Sequence, residues 1–240
     1  MNVLRSELLK LVSVRTTWFL LGGMLVVEGL YAGLVASLLS EEQLRGRDVS
    51  ELLVGTPLIT VFVFTLGALL STNEFRHRTA DSTFIITPQR ERVVAAKLLV
   101  GALAGIVFAL EFIAINAGLG LSILSNRDVP VDGDTAVDIY TGVAVGMVLA
   151  CVFGVGLGAV LRNQVVTVVA GLAVFFVLRG VALLLGDAGT YFPAESLAGL
   201  QGAVGEDFLL SQVTGGLVFG AYCVVFAIAG MVLTRTREIS

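Results

Sequence analysis

Long apolar runs follow one another along the chain at lengths that match the thickness of a membrane. A bilayer core of roughly 30 Å is crossed by about 20 apolar residues in a helix. Six stretches reach such a length, and we predict spans at 16–39, 53–72, 93–124, 141–161, 165–185 and 212–234. Because runs such as 165–177 are apolar on every face, instead of alternating as barrel strands do, the spans are predicted to be helices.

Composition agrees with this pattern. The 240 residues are 56% hydrophobic and 14% charged, with a mean hydropathy of +0.94, which excludes an ordinary soluble domain. The six stretches use most of the length, so the sequence predicts an all-α membrane protein with a single transmembrane domain, 1–240. Cys151 and Cys223 both lie in predicted spans, where we expect reduced packing residues and neither a disulfide nor a metal site.

The basic residues predict which ends of the spans face the cytoplasm. If the N-terminus is inside, eleven basic residues lie inside and three outside, which favours cytoplasmic termini at both ends. The inner residues are Arg5, Lys10, Arg15, Arg76, Arg78, Arg90, Arg92, Lys97, Arg162, Arg235 and Arg237, and the outer ones are Arg45, Arg47 and Arg127.

Residues 1–15 are predicted to form an amphipathic helix on the inner leaflet. Leu4 and Leu8 recur at helical spacing on one side, while Glu7 and Lys10 lie on the other. A helix with such a pattern lies in the interface between headgroups and acyl chains.

Three charged residues fall inside predicted spans. Glu28 lies near the centre of span one, Glu111 near the centre of span three and Arg179 in the outer third of span five. A charge at the bilayer centre costs about 2.5 to 3.5 kcal/mol by insertion scales, so each residue should face protein or water. The alternatives are an interhelical ion pair, a protonated glutamate, or a group that lines a pathway, and Arg179 has the further option of reaching the interface.

The outer segment 186–211 is too short to cross a bilayer but carries its own apolar patch. Tyr191, Phe192 and Pro193 begin this patch. We predict a re-entrant or interfacial hairpin covered by protein, which would serve as an extracellular lid.

The sequence contains no phosphate-binding loop of the Gly-x-x-x-x-Gly-Lys-Ser/Thr type. Its two lysines, Lys10 and Lys97, do not follow a glycine. The single histidine, His77, lies between two arginines, without a nucleophile that it could activate. We therefore expect no catalysis by this chain alone and no cofactor bound to it.

The segment between spans two and three resembles the cytoplasmic loop of type-2 ABC export permeases. The pattern is an acidic residue, a basic residue and a threonine, then Thr-Pro, arginine and Ala-Lys at the start of span three. It occurs here as Glu74, Arg76, Thr79, Thr87, Pro88, Arg90, Ala96 and Lys97. Further agreement lies at 161–164 and at 191–193, whereas Arg78 replaces the glycine of the family.

The resemblance implies a membrane-spanning permease subunit in the bacterial inner membrane, with a coupling helix within 73–92 that docks on an ABC ATPase. The implied contacts are Glu74, Arg76, Arg78, Thr79, Phe84, Thr87, Pro88 and Arg90. It also implies two ATPase copies that bind ATP and magnesium, a second permease copy as a homodimer partner, surrounding lipid, and no nucleic acid. The cargo stays open between a drug, a peptide, a lipid and a glycolipid.

Two other functions compete with this hypothesis. A proton-coupled secondary transporter could use Glu28 and Glu111, although the sequence shows no inverted repeat of the kind common in such proteins. A membrane assembly or immunity protein that sequesters a ligand would need neither ATPase nor flux.

Overall fold

The computed structural model describes residues 3–39, 48–76, 90–203 and 210–236, and these are almost entirely helical, with no strand among them. Within these described residues, six helical segments are long and apolar enough to cross a membrane, which confirms the predicted helical membrane fold. They are span one, Arg15–Val35; span two, Val49–Arg76; span three, Glu91–Asn126; span four, Gly133–Leu161; span five, Gln164–Leu184; and span six, Gln212–Thr236.

Several spans consist of more than one helix. The α-helices are Val3–Ser13, Arg15–Leu38, Asp48–Val54, Leu58–Arg76, Arg90–Ile115, Leu121–Asn126, Gly133–Leu161, Gln164–Leu172, Leu178–Leu184, Pro193–Leu200 and Gln212–Thr236. Spans three and five each contain one π-helical turn, at Asn116–Gly120 and Ala173–Val177, and a 3-10 helix covers Gly186–Tyr191.

Span four lies at the centre of the bundle and packs against spans two, three and six. Glycines bring the backbones of these helices into contact. A Cβ atom built on Gly67 of span two would lie 2.0 Å from the carbonyl oxygen of Cys151, and one on Gly154 would lie 2.3 Å from that of Phe64. In lipid, where the hydrophobic effect does not drive helices together, close packing between small residues is one source of helix association.

A cluster of aromatic rings fills the centre between spans two, four, five and six. Phe153 of span four contacts the rings of Phe64, Phe175, Phe219 and Phe226, with centroids 5.2 to 6.3 Å apart. Tilted and edge-to-face arrangements dominate, as the ring quadrupoles favour. The outer faces of spans one, five and six carry exposed apolar side chains, as expected of surfaces in contact with lipid.

Span four begins at Gly133, eight residues before the predicted start at position 141. The cause is a local cap, which hydropathy does not detect. The Asp132 carboxylate accepts hydrogen bonds from the Thr135 backbone N–H at 3.0 Å and from the Thr135 hydroxyl at 2.7 Å. These bonds hold the pKa of Asp132 below its usual range. The loop predicted at 125–140 is correspondingly shorter.

Span two is interrupted near its N-terminal end, within the stretch 53–72 that was predicted to be one continuous helix. The helix Asp48–Val54 stops, and the next helix begins at Leu58. Gly55 has φ +77°, a left-handed conformation that side chains rarely adopt, and a Cβ there would lie 2.7 Å from the Phe112 ring. Pro57 lacks an N–H and is suited to the start of the second helix.

Candidate functional site

Four charged residues meet at the end of the bundle that adjoins residues 77–89. Glu7 and Lys10 come from the N-terminal helix, Glu74 from the last turns of span two, and Lys97 from the first turns of span three. We call these four residues the basal cluster. It is the point at which the N-terminal helix and the two spans that flank 77–89 are joined.

Both carboxylates of the basal cluster contact both lysines. Lys97 Nζ lies 2.7 Å from Glu7 Oε2 and 3.1 Å from Glu74 Oε1, and it donates to the Leu70 carbonyl oxygen at 3.0 Å. Lys10 Nζ lies 2.6 Å from Glu7 Oε1 and 2.5 Å from Glu74 Oε1. Two positive and two negative charges cancel, which is the condition under which buried ions persist.

Burial distinguishes the two lysines. The side chain of Lys97 is 6% exposed, whereas that of Lys10 is 43% exposed. Partial burial by itself would lower the pKa of Lys10, but hydrogen bonds to Glu7 and Glu74 and their negative charges outweigh it and raise that pKa. Lys10 therefore stays charged at neutral pH, and its stabilising contribution would be lost only as the pH rises above the ordinary lysine value.

The basal cluster corrects one expectation about the N-terminal helix. A helix does form at Val3–Ser13, but Glu7, assigned to its solvent-facing side, is only 1% exposed. The apolar residues Leu4, Leu9 and Val12 are exposed, as are Arg5 and Ser13, while Leu11 packs against the core. The helix is therefore held to the bundle through charge as well as through its apolar side.

Further polar contacts join other helix ends at the same side of the bundle. Arg76 Nη1 donates to Gln164 Oε1 at 2.9 Å, so the end of span two is linked to the start of span five. The guanidinium of Arg162 lies over the Phe75 ring, 5.4 Å from its centroid, and donates to the Leu233 carbonyl oxygen at 2.8 Å. The helix ends around 77–89 are thus tied to one another.

The predicted ATPase contacts fall into three groups. Arg78, Thr79, Phe84, Thr87 and Pro88 lie outside the described residues. Arg90 begins the helix that leads into span three, and Arg76 is exposed at the end of span two.

Glu74 belongs to the third group, because its carboxylate points into the basal cluster and is 9% exposed. The structure therefore shows which residues hold the Glu74 carboxylate, and its contact with an ATPase stays a prediction.

Glu28 lies in a second polar network, inside the bundle and fully buried. Its Oε1 accepts a hydrogen bond from Asn116 Nδ2 at 2.7 Å. The same amide donates to the Leu52 carbonyl oxygen at 2.8 Å, and Asn116 Oδ1 accepts from the Tyr140 hydroxyl at 3.0 Å. Asn116 begins the π-helical turn of span three, which directs its amide towards spans one, two and four.

Asn116→Leu is expected to destabilise the protein by about 1 to 3 kcal/mol, since it leaves Glu28, Leu52 and Tyr140 without their shared partner. Glu28→Gln should cost less, because its amide oxygen can still accept from Asn116. Thermal unfolding of the detergent-purified chain measures the difference. Equal midpoints for Asn116→Leu and the wild type would show that the network is dispensable.

Arg179 does not pair with Glu28 or Glu111, the two acidic residues within predicted spans. Its Nε lies 3.1 Å from Oε1 of Glu195, a residue assigned by the sequence to an outer loop. Glu111 is half-buried, and its Oε2 has no hydrogen-bond partner among the described residues. The three intramembrane charges thus have separate surroundings and do not form one site.

The segment predicted as a lid folds onto spans four and six. Tyr191 is exposed, Phe192 precedes the helix Pro193–Leu200, and most of that helix is buried. Glycines allow the contact: a Cβ on Gly142 would lie 2.2 Å from the Leu200 carbonyl oxygen. The segment is therefore a packed part of the bundle, and its role as a lid stays a prediction.

Sequence reasoning missed the partners of the charged residues more than the residues themselves. Lys97 was counted among the inner basic residues and in the pattern that begins span three, although it lies inside that predicted span, where a lysine needs an acidic partner. Glu7, Lys10 and Glu74 were predicted on the same side of the membrane, which is the signal that could have found the basal cluster.

The geometry at the 77–89 end can therefore hold spans two and three in a fixed relation to the N-terminal helix. Among the described residues, no group of three or more His, Cys, Asp or Glu side chains could hold a metal ion. Comparison with known proteins found no family model that matches this chain and no curated protein that matches it.

Proposed function

We propose that this chain is the membrane-spanning permease subunit of an exporter that a separate ABC ATPase drives. In this proposal two copies of the chain form one pathway in the bacterial inner membrane, with both termini in the cytoplasm. The segment 73–92 receives the movement of the ATPase, and the spans transmit it to the cargo.

The basal cluster is the observation that carries this proposal. A coupling segment is useful only if force applied to it moves helices, and not merely the segment. Residues 77–89 are flanked by Glu74 and Lys97, which contact each other at 3.1 Å. Glu74 also contacts Lys10, and Lys97 also contacts Glu7, both of the N-terminal helix. Displacement of the segment would thus move spans two and three and the N-terminal helix together.

The test is co-purification of a tagged chain from its native membrane. We expect an ATPase with a phosphate-binding loop to be recovered in a one-to-one ratio and to hydrolyse ATP in lipid nanodiscs. Arg78→Glu and Arg90→Glu should each reduce recovery about tenfold or more, because charge pairs at an interface depend on sign.

Arg47→Glu is the matched control, since it reverses a charge on the predicted outer side. It should leave recovery unchanged. Absence of any ATPase from the wild-type preparation, or equal recovery with all three variants, would contradict the proposal.

A second candidate, proton-coupled transport, is favoured by one observation: Glu28 is fully buried, and no basic side chain contacts it among the described residues. Flux in sealed vesicles separates the two. The exporter needs ATP and tolerates collapse of the proton gradient, whereas proton-coupled transport fails when the gradient is collapsed.

A further inference from the structure

A cavity of about 80 Å³ lies between the break in span two, spans four and five, and the segment that follows Pro193. Water needs roughly 10 to 15 Å³ of such volume, so the cavity has room for a group of several heavy atoms. Apolar side chains, including Val143, Met147 and Phe175, line part of it. Its polar lining comes from Thr56, Thr60, Gln201 and Arg179.

Among the described residues that line the cavity, Arg179 supplies the one cationic group. Only its Nε is used in the ion pair with Glu195, at 3.1 Å. No hydrogen bond engages Nη1 or Nη2 within the described parts of the chain. The guanidinium side chain is 39% exposed, whereas that of Glu195 is 5% exposed. The acid therefore orients the guanidinium from its buried side and leaves two terminal donors open.

Open terminal nitrogens on an oriented guanidinium match two oxygens of a phosphate group. The neighbouring hydroxyls of Thr56 and Thr60 are further donors of the kind that a phosphate oxygen accepts. The apolar lining fits the first carbons attached to such a group, and exposed apolar faces of span five lie next to the cavity.

The geometry points to a binding site for the phosphate group of an amphipathic molecule, with Arg179 as the residue that holds the phosphate and Glu195 as its positioning residue. The inference deepens the function proposed above by naming a substrate class, a phosphate-bearing lipid or lipid-like compound. A free phosphate ion shares the same chemistry at Arg179 but does not use the apolar lining.

The test uses the purified full-length chain without any ATPase. The binding result therefore does not depend on whether the exporter proposal is correct. Three soluble probes are titrated and binding is followed by calorimetry. They are dihexanoyl phosphatidylglycerol, dihexanoylglycerol, which has the same chains and no phosphate, and inorganic phosphate, which has no chains.

Two variants remove different parts of the site. Arg179→Lys keeps a cation beside Glu195 but loses the paired terminal donors, and Ala198→Phe fills the cavity while leaving the ion pair intact. Each should weaken binding of the phosphatidylglycerol about tenfold or more. Because Ala198 lies on the largely buried helix Pro193–Leu200, the melting temperature of each variant is recorded to confirm folding.

If the Arg179 variant misfolds, the double variant Arg179→Gln with Glu195→Gln replaces it, because it removes both charges and leaves no buried ion unpaired. Binding of the phosphatidylglycerol that neither variant weakens would overturn the inference. So would equal binding of dihexanoylglycerol. Inorganic phosphate that binds as tightly as the lipid would also overturn it and would assign the cavity to a free anion.

Discussion

Lys97→Met is expected to destabilise the folded chain by about 3 to 5 kcal/mol, the loss typical when one partner is removed from a buried ion pair. The side chain of the lysine is 6% exposed and contacts the side chain of Glu7, which is 2% exposed. Methionine preserves much of the side-chain length but leaves Glu7 and Glu74 with Lys10 as their only cation in the basal cluster. The measurement is the fraction of a fluorescent fusion that stays monodisperse in detergent, followed by thermal unfolding.

Lys10→Met is the matched control, because Lys10 contacts the same two acids but is 43% exposed. Its loss should be clearly smaller. The pair Lys97→Met with Glu7→Leu should recover part of the stability of Lys97→Met, since it leaves Lys10 and Glu74 as a neutral pair. Equal losses for the two single lysine variants would refute the role given to burial.

Gly67→Ala is expected to separate spans two and four and to cost about 3 kcal/mol or more, at the upper end of the range for overpacking. The added Cβ would lie 2.0 Å from the Cys151 carbonyl oxygen and 2.9 Å from its carbonyl carbon. Backbone atoms in the middle of two spans cannot rotate away, so a whole helix must move. Thermal unfolding and the yield of monodisperse protein measure the effect.

Gly220→Ala controls for the change of residue type. Gly220 lies within span six, where an added Cβ would meet nothing within 4 Å. This variant should unfold at the temperature of the wild type or slightly above it. A comparable loss from both alanine substitutions would show that helix contact at Gly67 is not the cause.

The number and type of spans were predictable from sequence because apolar length is a direct physical requirement of the bilayer. The start of span four was not, since residues 133–140 are polar enough to resemble a loop and the helix is extended by the Asp132 cap. The break at 55–57 had a sequence signal, because a glycine and a proline lie two residues apart within an apolar run. Mean hydropathy over a long window does not detect such single residues.

The candidate site was predictable only in part, because charge in sequence does not reveal a partner. Glu28 and Arg179 were recognised as costly residues, yet their contacts are Asn116 and Glu195, which lie 88 and 16 positions away. The π-helical turn that positions Asn116 has no sequence signature that we can identify. Pairing between distant spans depends on how the bundle packs, which one sequence does not specify.

Burial of the native thiols makes the wild-type chain a ready background for site-specific chemistry. Cys151 is 0% exposed and Cys223 3%, and the chain contains no other cysteine. Maleimides that react only with accessible sulfur should leave both unmodified in the folded protein. A thiol introduced at Gln89 or at Asp134 would then report its own side of the membrane, without prior replacement of residues that pack the centre of the bundle.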